Sequence, residues 1–433
     1  MKTDEFLRRL SHIKWDAIIV GGGAAGLWAA GTAAQQGKKV LVLEKNNKAG
    51  VKILMSGGTR CNITHHCDSR KIAEAFGKQG RVLLSVLKRL SPEDVVREFE
   101  SEGVATKVEE TGKVFPVSDR AIDVRDAVVR RLVRFGAELL CGCAVQSVRP
   151  MAGVQGFEVR ANVQENPLLV SCKTVLITTG GLSYSGCGTT GDGYDWVRQM
   201  GHSITQLKPA LTPLTSPEAR VHELSGLTLE DVLVRADVYA GSDTKALKLE
   251  RRESRGGFLW THKGCSGPTS MNVSRCFSDR EGKDRLELVV DLLPNSTVQQ
   301  IEDWIAQETR SSNRALSTVL GTRIPKRLAN SILHGIGAAY DPHLAELPKA
   351  IRLRLIENLK QYRIPISGTL GYPKAEVTSG GVEIGEVNFQ DMQSRIQPGL
   401  FLAGEILDLD GPIGGYNFQA AWSTGHTAGL HLG

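Results

Sequence analysis

Six residues near the start of the chain constrain its fold more than any others. Gly21-Gly22-Gly23-Ala24-Ala25-Gly26 fits the pattern G-x-G-x-x-G, and its setting turns a short pattern into a signal. The run Asp16 to Val20 before it reads as a buried strand, Ala24 to Gln36 after it as an alanine-rich helix, and Val40 to Leu43, ending at Glu44, as a second strand. In such a β-α-β unit Gly21 permits a tight turn, Gly23 lets a pyrophosphate approach the backbone, and Gly26 lets helix pack on strand. The helix N-terminus meanwhile offers N–H groups to the anion. The ligand expected is therefore a diphosphate. Glu44 stands where an acid accepts ribose hydroxyls and repels a 2′-phosphate, which favours FAD or NAD over NADP. The bland alternative, a structural turn and a solvated strand end, does not account for the joint spacing.

The rest of the chain bounds the class. With 433 residues, 41% of them hydrophobic, it is too long for one small core and too apolar for disorder, so two or three domains are expected. The net charge of +6 arises from 53 basic and 47 acidic residues scattered along the chain. Without a basic block, nucleic acid is permitted and not indicated, and a mild positive field suits an anionic dinucleotide. Met1 to Lys14 mixes both signs of charge, and no apolar run reaches the length of a membrane span, so a soluble, cytoplasmic protein with no membrane partner is expected. The eight cysteines are sparse enough to predict free thiols, and Cys141 and Cys143 lack a second pair at zinc spacing, so no metal is expected.

Farther along, Pro92 to Phe99 and Ala121 to Phe135 carry helical periodicity, the second leading into an apolar strand around Leu139 to Val148. Val175 to Thr178 reads as a short strand stopping at Gly180-Gly181. Beyond Lys208 the stretches Val232 to Tyr239, Phe258 to Thr261 and Leu286 to Asp291 read as antiparallel strands. Val298 to Lys360 then turns helical, and the glycine-rich texture of the front returns near Thr378. The organisation expected is an FAD-binding or NAD-binding domain from both ends of the chain, 1–205 and 362–433, with a β-rich insert over 206–296 and a helical insert over 297–361. No repeat or low-complexity tract is present.

One Rossmann unit does not choose between FAD and NAD. Lys52 to Thr64 (K-I-L-M-S-G-G-T-R-C-N-I-T) reads as a loop of glycines and small donors that could wrap a longer cofactor. Near the C-terminus, Gly399 to Glu405 reads as a strand ending in glycine and acid, followed by Gly414-Gly415-Tyr416-Asn417 and a helix from Phe418 to Ala428. A carboxylate and a second helix N-terminus there suit a ribityl chain and the flavin pyrimidine. Together with T-T-G-G-L-S-Y at Thr178 to Tyr184, T-G-D-G-Y at Thr190 to Tyr194, W-T-H-K-G-C-S-G-P at Trp260 to Pro268, E-V-T-S-G-G-V at Glu376 to Val382 and A-G-E-I-L-D-L-D-G-P-I-G-G-Y-N-F-Q at Ala403 to Gln419, these runs resemble the HI0933-like flavoproteins. That family is also called the BaiN family of NAD(P)/FAD-dependent oxidoreductases, and the likeness covers nearly the whole chain.

The resemblance implies an α/β, Rossmann-like two-dinucleotide-binding-domain flavoprotein fold with an inserted β-barrel-like and helical region. It implies FAD held by Gly21, Gly23, Ala24, Ala25 and Gly26, by Glu44 and Lys45, and by Lys52, Ser56, Arg60, Cys61 and Asn62. The backbone near Val145, Thr179 and Gly180, and Gly404, Glu405, Gly415, Tyr416 and Asn417 complete the set. Thr59 and Cys265 depart from residues common in the family. Flavin chemistry runs at N5, so no catalytic residue is assigned. His262 and Ser266 are candidates for a proton donor and an orienting hydroxyl, and Tyr416 for stacking or gating. A redox pair of Cys61 and Cys67 is disfavoured by its spacing, and His65 and His66 read as an exposed loop.

The function implied is hydride transfer between FAD and a small organic substrate, by enone-type reduction or by amine or alcohol oxidation. With no second G-x-G-x-x-G unit, NAD(P)H would serve as a transient co-substrate. An RNA-modifying flavoprotein and a non-catalytic redox sensor are the alternatives. Oligomeric state is not readable.

Overall fold

The computed structural model describes residues 2–241, 248–280, 282–311, 314–338, 342–343 and 347–433. It divides into two compact units, Met1–Pro209 with Glu376–Gly433, and Ala210–Ala375.

The first unit is built on strands that are apolar on both faces. Val40–Glu44 is buried at every residue and Trp15–Val20 at all but Asp16, the mark of parallel strands covered on both sides. They pair in parallel from Ala17 with Val40 to Val20 with Leu43. Asn166–Ile177 lies parallel on the other side of Trp15–Val20, and Leu400–Leu402 lies parallel beyond it. Glu138–Cys141 extends the sheet past Val40–Glu44. The successive strands thus run to either side of Trp15–Val20, which makes the C-terminal end of that strand a topological switch point, where open α/β sheets bind ligands.

Two strand readings needed correction. The strand expected from Val175 begins at Asn166, because its first half alternates buried and exposed side chains while pairing antiparallel with Phe157–Val163. Only its last three residues carry the continuous apolar signature. The run expected as one strand around Leu139 to Val148 is two, Glu138–Cys141 and Cys143–Pro150, separated at Gly142, whose φ of 70° takes it out of the extended region.

The helix Ala24–Gln35 is buried along most of its length and packs on the last helix, Tyr416–His431. Small residues allow the approach: a Cβ on Gly425 would lie 2.3 Å from the Ala25 carbonyl oxygen, and one on Gly429 2.6 Å from that of Ala29. Backbones at this separation leave no room for a side chain. Trp28, Phe99 and Trp422 close the same layer with ring centroids 5.3 to 5.6 Å apart.

The second unit is an antiparallel sheet ordered Tyr362–Ile366, Asp284–Asp291, Thr228–Ala240, Lys248–Thr261, Gly264–Ser266, Leu214–Thr215 and Gly368–Thr369. Its two outermost strands are consecutive chain segments joined at Ser367, so the sheet curls toward a barrel. Val232, Val234, Ala236 and Val238 bury one face, and helices Val298–Ser311, Lys326–Gly335 and Lys349–Lys360 contribute to the same core. No described helix is long and apolar enough to cross a membrane.

Candidate functional site

The strand ends at Val20, Glu44, Ile177 and Leu402 lie side by side, and the glycine loop begins there. Gly21 N donates to Leu43 O at 2.9 Å and adopts a φ of 107°, a conformation that L side chains rarely take. A Cβ at Gly26 would sit 2.0 Å from Gly21 O and 2.5 Å from Thr178 Oγ1, so helix, loop and the neighbouring strand end are in contact. Gly23 is different: a Cβ there meets nothing within 4 Å. It caps the Ala24–Gln35 helix without any side-chain cap, leaving the first-turn amides open toward unfilled space. That arrangement fits the pyrophosphate of a dinucleotide.

Glu44 is buried and holds the loop from the side. One carboxylate oxygen accepts from Gly22 N at 2.7 Å; the other accepts from Asn46 N at 2.8 Å and Asn46 Nδ2 at 2.7 Å. Asn46 also donates to Cys187 O at 2.9 Å and accepts from Gly142 N through its carbonyl at 2.8 Å. Val145 lies in the strand that follows Gly142. On the opposite flank, Thr178 Oγ1 donates to Gly21 O at 2.8 Å, and the buried Thr179 hydroxyl has no partner. That oxygen lies against Gly193, where a Cβ would sit 2.2 Å from it. Lys45, in contrast, pairs with Asp192 at 2.7 Å.

Glu405, at the end of Leu400–Leu402, is a node. Its Oε1 accepts from Ser183 Oγ at 2.6 Å and Thr378 N at 2.9 Å, and its Oε2 accepts from Lys52 Nζ at 2.5 Å. Lys52 also donates to Ser183 Oγ at 2.8 Å. Four separate segments thus meet on one carboxylate, which leaves it little freedom to turn.

The segment expected as a loop from Lys52 is partly helical: Val51–Met55 is an α-helix and Ser56–Thr59 a 3-10 turn. Leucine, isoleucine and lysine favour the helix until Gly57 and Gly58 enter the left-handed region. Arg60 pairs with Glu109 at 2.7 Å and lies 3.9 Å above the centre of the Phe115 ring. Cys61 is fully buried, and burial pushes its thiol up to about 12. It is a small packed group and no ready nucleophile. All eight cysteines are free thiols.

Asn62 ties this segment to the last helix. Its amide donates to Thr64 O and accepts from Gly415 N, both at 2.9 Å. Asn417 accepts from Gly411 N at 2.8 Å and donates to Gly411 O at 2.9 Å, shaping the turn before the helix. Tyr416 opens the helix, and its ring stacks on His65 at 4.9 Å. His65 was expected in an exposed loop. It is instead half-buried in the strand Thr64–His65, held because Gly415 lacks a Cβ: one there would lie 2.4 Å from the Thr64 carbonyl carbon. Burial pushes His65 below its ordinary value. His66 is exposed, and no three His, Cys, Asp or Glu among the described residues could hold a metal.

His262 and Ser266 belong to the second unit. His262 sits in the turn between Lys248–Thr261 and Gly264–Ser266, and Ser266 Oγ donates to Met271 Sδ at 3.5 Å. Cys265 there is buried. Asn46, His65, Ser183, Thr378 and Asp192 were not selected from sequence. Asn46, two residues after the strand-ending acid, could have been found by its position; the others show only in the contacts.

The model of the HI0933-like protein Rossmann domain matches residues 15–431. A ribosomal RNA dihydrouridine synthase of Escherichia coli is 31% identical over 411 residues, covering 95% of this chain and 96% of that protein. A 3-dehydro-bile acid delta(4,6)-reductase of Clostridium scindens is 31% identical over 416 residues, covering 95% and 97%. Among solved structures, the 3-ketosteroid delta1-dehydrogenase of Sterolibacterium denitrificans aligns with a TM-score of 0.51 at 12% identity, covering 96% of this chain and 99% of that one, a likeness of fold.

Proposed function

The chain belongs to the HI0933-like family of FAD-dependent oxidoreductases, and on that premise we propose that it reduces a carbon–carbon double bond conjugated to a carbonyl. The observation that carries this reading is that two relatives named for different substrates share one reaction. A delta(4,6)-reductase acting on a 3-dehydro-bile acid and a synthase of dihydrouridine both saturate an alkene polarised by a neighbouring carbonyl. Each needs a hydride at the β-carbon and a proton at the α-carbon. Oxidation of amines or alcohols shares no such support.

In this reading the glycine loop from Gly21 to Gly26 grips the pyrophosphate, and Glu44 with the backbone near Val145 takes the adenosine. Thr179 and Gly180 flank the phosphates. The Arg60 to Asn62 segment and Gly404 through Asn417 enclose the flavin, which supplies the hydride when bound. Lys45 and Lys52 act at one remove, through Asp192 and Glu405. Glu405 orders the site by joining Lys52, Ser183 and Thr378 through its carboxylate. NAD(P)H is the proposed reductant.

The substrate class is a small conjugated enone. A second reading, uracil within ribosomal RNA, is favoured by the name of the Escherichia coli relative. Anaerobic stopped-flow tests both. NADH or NADPH should bleach the flavin, and either a cyclic enone or an unmodified ribosomal RNA transcript should restore its colour. Dihydrouridine found by nucleoside mass spectrometry would select RNA. A reduced flavin that neither class reoxidises would refute the proposal.

A further inference from the structure

Reduction of a conjugated alkene requires a proton source that no residue assignment above provides. Around the start of the last helix most protic side chains are already committed. Lys52 is bound to Glu405 and Ser183, Arg60 to Glu109, Thr64 Oγ1 to Gln419 and Asn417 to Gly411. Cys61 is sealed in the core. The His65 Nε2 faces Thr111 O at 3.2 Å, so it carries the proton, which leaves Nδ1 a buried bare acceptor.

The Cys67 thiol near Tyr416 and the Lys113 ammonium near His65 are also uncommitted among the described residues, and what sets Tyr416 apart is that it is held in a ring stack. Its ring is half-buried, but its hydroxyl reaches accessible space and has no hydrogen-bond partner among the described residues. The ring is nonetheless held firmly. A Cβ on Gly414 would lie 2.9 Å from Tyr416 Cε2, and the opposite support is His65, stacked at 4.9 Å with an interplanar angle of 23°. His65 is itself backed by Gly112, where a Cβ would lie 2.5 Å from His65 Cε1. Gly414 and Gly112 thus leave their Cβ positions empty around one stack, and the free hydroxyl is what that stack presents. A tyrosine serving only to pack would gain nothing from a fixed, unpaired hydroxyl, whereas an acid must hold its proton toward a reacting carbon before the substrate arrives.

We propose that the Tyr416 hydroxyl is the proton donor of the reaction and that His65 is its positioning residue. This rests on the function proposed above. A hydride adds to the β-carbon of the conjugated alkene, and the π-electron pair moves onto the α-carbon and the carbonyl. The Tyr416 O–H bond breaks, its proton goes to the α-carbon, and water reprotonates the phenolate. Reduced nicotinamide supplies the two electrons through FAD.

The test uses the full-length protein loaded with FAD. Tyr416→Phe keeps the ring, so FAD should bind apo-protein with unchanged Kd and stoichiometry, and nicotinamide should reduce it at the wild-type rate. Reoxidation by a cyclic enone should fall roughly 10²- to 10⁴-fold, in kcat with little change in KM, while reoxidation by oxygen stays unchanged. His65→Ala should slow the same step and His65→Phe, which restores a stacking partner, should recover it. Wild-type reoxidation in Tyr416→Phe would overturn the inference, as would loss of FAD binding, which would make the hydroxyl a cofactor contact. So would the same block appearing in Glu376→Gln, whose carboxyl is held above its ordinary value by desolvation and is the competing acid. If the wild-type reduced protein reacts with no conjugated alkene, the functional proposal itself fails.

Discussion

The difference between Gly23 and Gly26 gives a sharp test of where a dinucleotide lies. Both are bare for reasons of space, but the space differs. At Gly26 an added Cβ meets Gly21 O at 2.0 Å and Thr178 Oγ1 at 2.5 Å; at Gly23 it meets nothing within 4 Å. Gly23 also has φ −83° and ψ −169°, which alanine adopts freely. In Gly23→Ala the unfolded chain loses freedom, a gain of about 0.4–1 kcal/mol, and alanine is a poorer cap than glycine by a similar amount. Apo-protein stability should therefore stay within about 1 kcal/mol of wild type, a melting shift of at most roughly 4 °C.

FAD affinity should collapse all the same. The methyl group displaces the phosphates from one or two first-turn amides, and charge-assisted hydrogen bonds contribute about 1.5–3 kcal/mol each. At about 1.4 kcal/mol per decade the loss is on the order of 10- to 10⁴-fold in Kd. Gly26→Ala should lose both properties, because overpacking at the helix–loop contact costs about 1–3 kcal/mol before any ligand is added. Differential scanning fluorimetry of the apo-proteins and fluorescence titration with FAD measure the two quantities. If Gly23→Ala bound FAD within threefold of wild type, or melted as early as Gly26→Ala, the placement of the pyrophosphate would be wrong.

Two further predictions concern buried groups. Burial, aided by the Arg131 guanidinium, pushes His426 from 6.5 down to about 4, so the unfolded chain takes up this proton more readily than the folded one. Its contribution is complete above pH 6.5 and lost as pH falls from 6.5 toward 4. The ceiling is about 3 kcal/mol, reduced to about 1–2 by partial solvent access. Melting curves of His426→Gln should therefore lose part of the acid sensitivity in that window, and an unchanged pH profile would count against the assignment. Cys61, with its thiol pushed up to about 12, should escape alkylation by iodoacetamide at pH 8 in the folded protein, as peptide mapping would show. Cys61→Ala should still permit flavin reduction. Rapid labelling, or loss of reduction in the variant, would restore the cysteine-pair reading.

The fold class and the leading β-α-β unit were legible because each depends on local pattern. A short apolar strand, a glycine turn and an alanine helix are set by residues within about ten positions of one another, and a dinucleotide site needs those residues contiguous. Glu44 belongs with them, since the end of the second strand is a fixed place in the unit. The helical start of the Lys52 segment was missed because two glycines a few residues later dominated its reading, although Val51 to Met55 contains none.

What only the tertiary structure decided is which side chains still have a free hydrogen-bonding group. Lys52 and Glu405 were both expected to hold the cofactor, yet they are bound to each other. His65 looked like half of an exposed histidine pair, yet it supports the Tyr416 ring. These assignments depend on segments far apart in the chain reaching hydrogen-bond or ring-contact distance, which backbone packing fixes and residue identity does not. Sequence thus determined the chemistry available at each position, through conformational preference and functional group. The folded chain decided how that chemistry is spent, because a buried donor or acceptor must find a partner wherever packing places it.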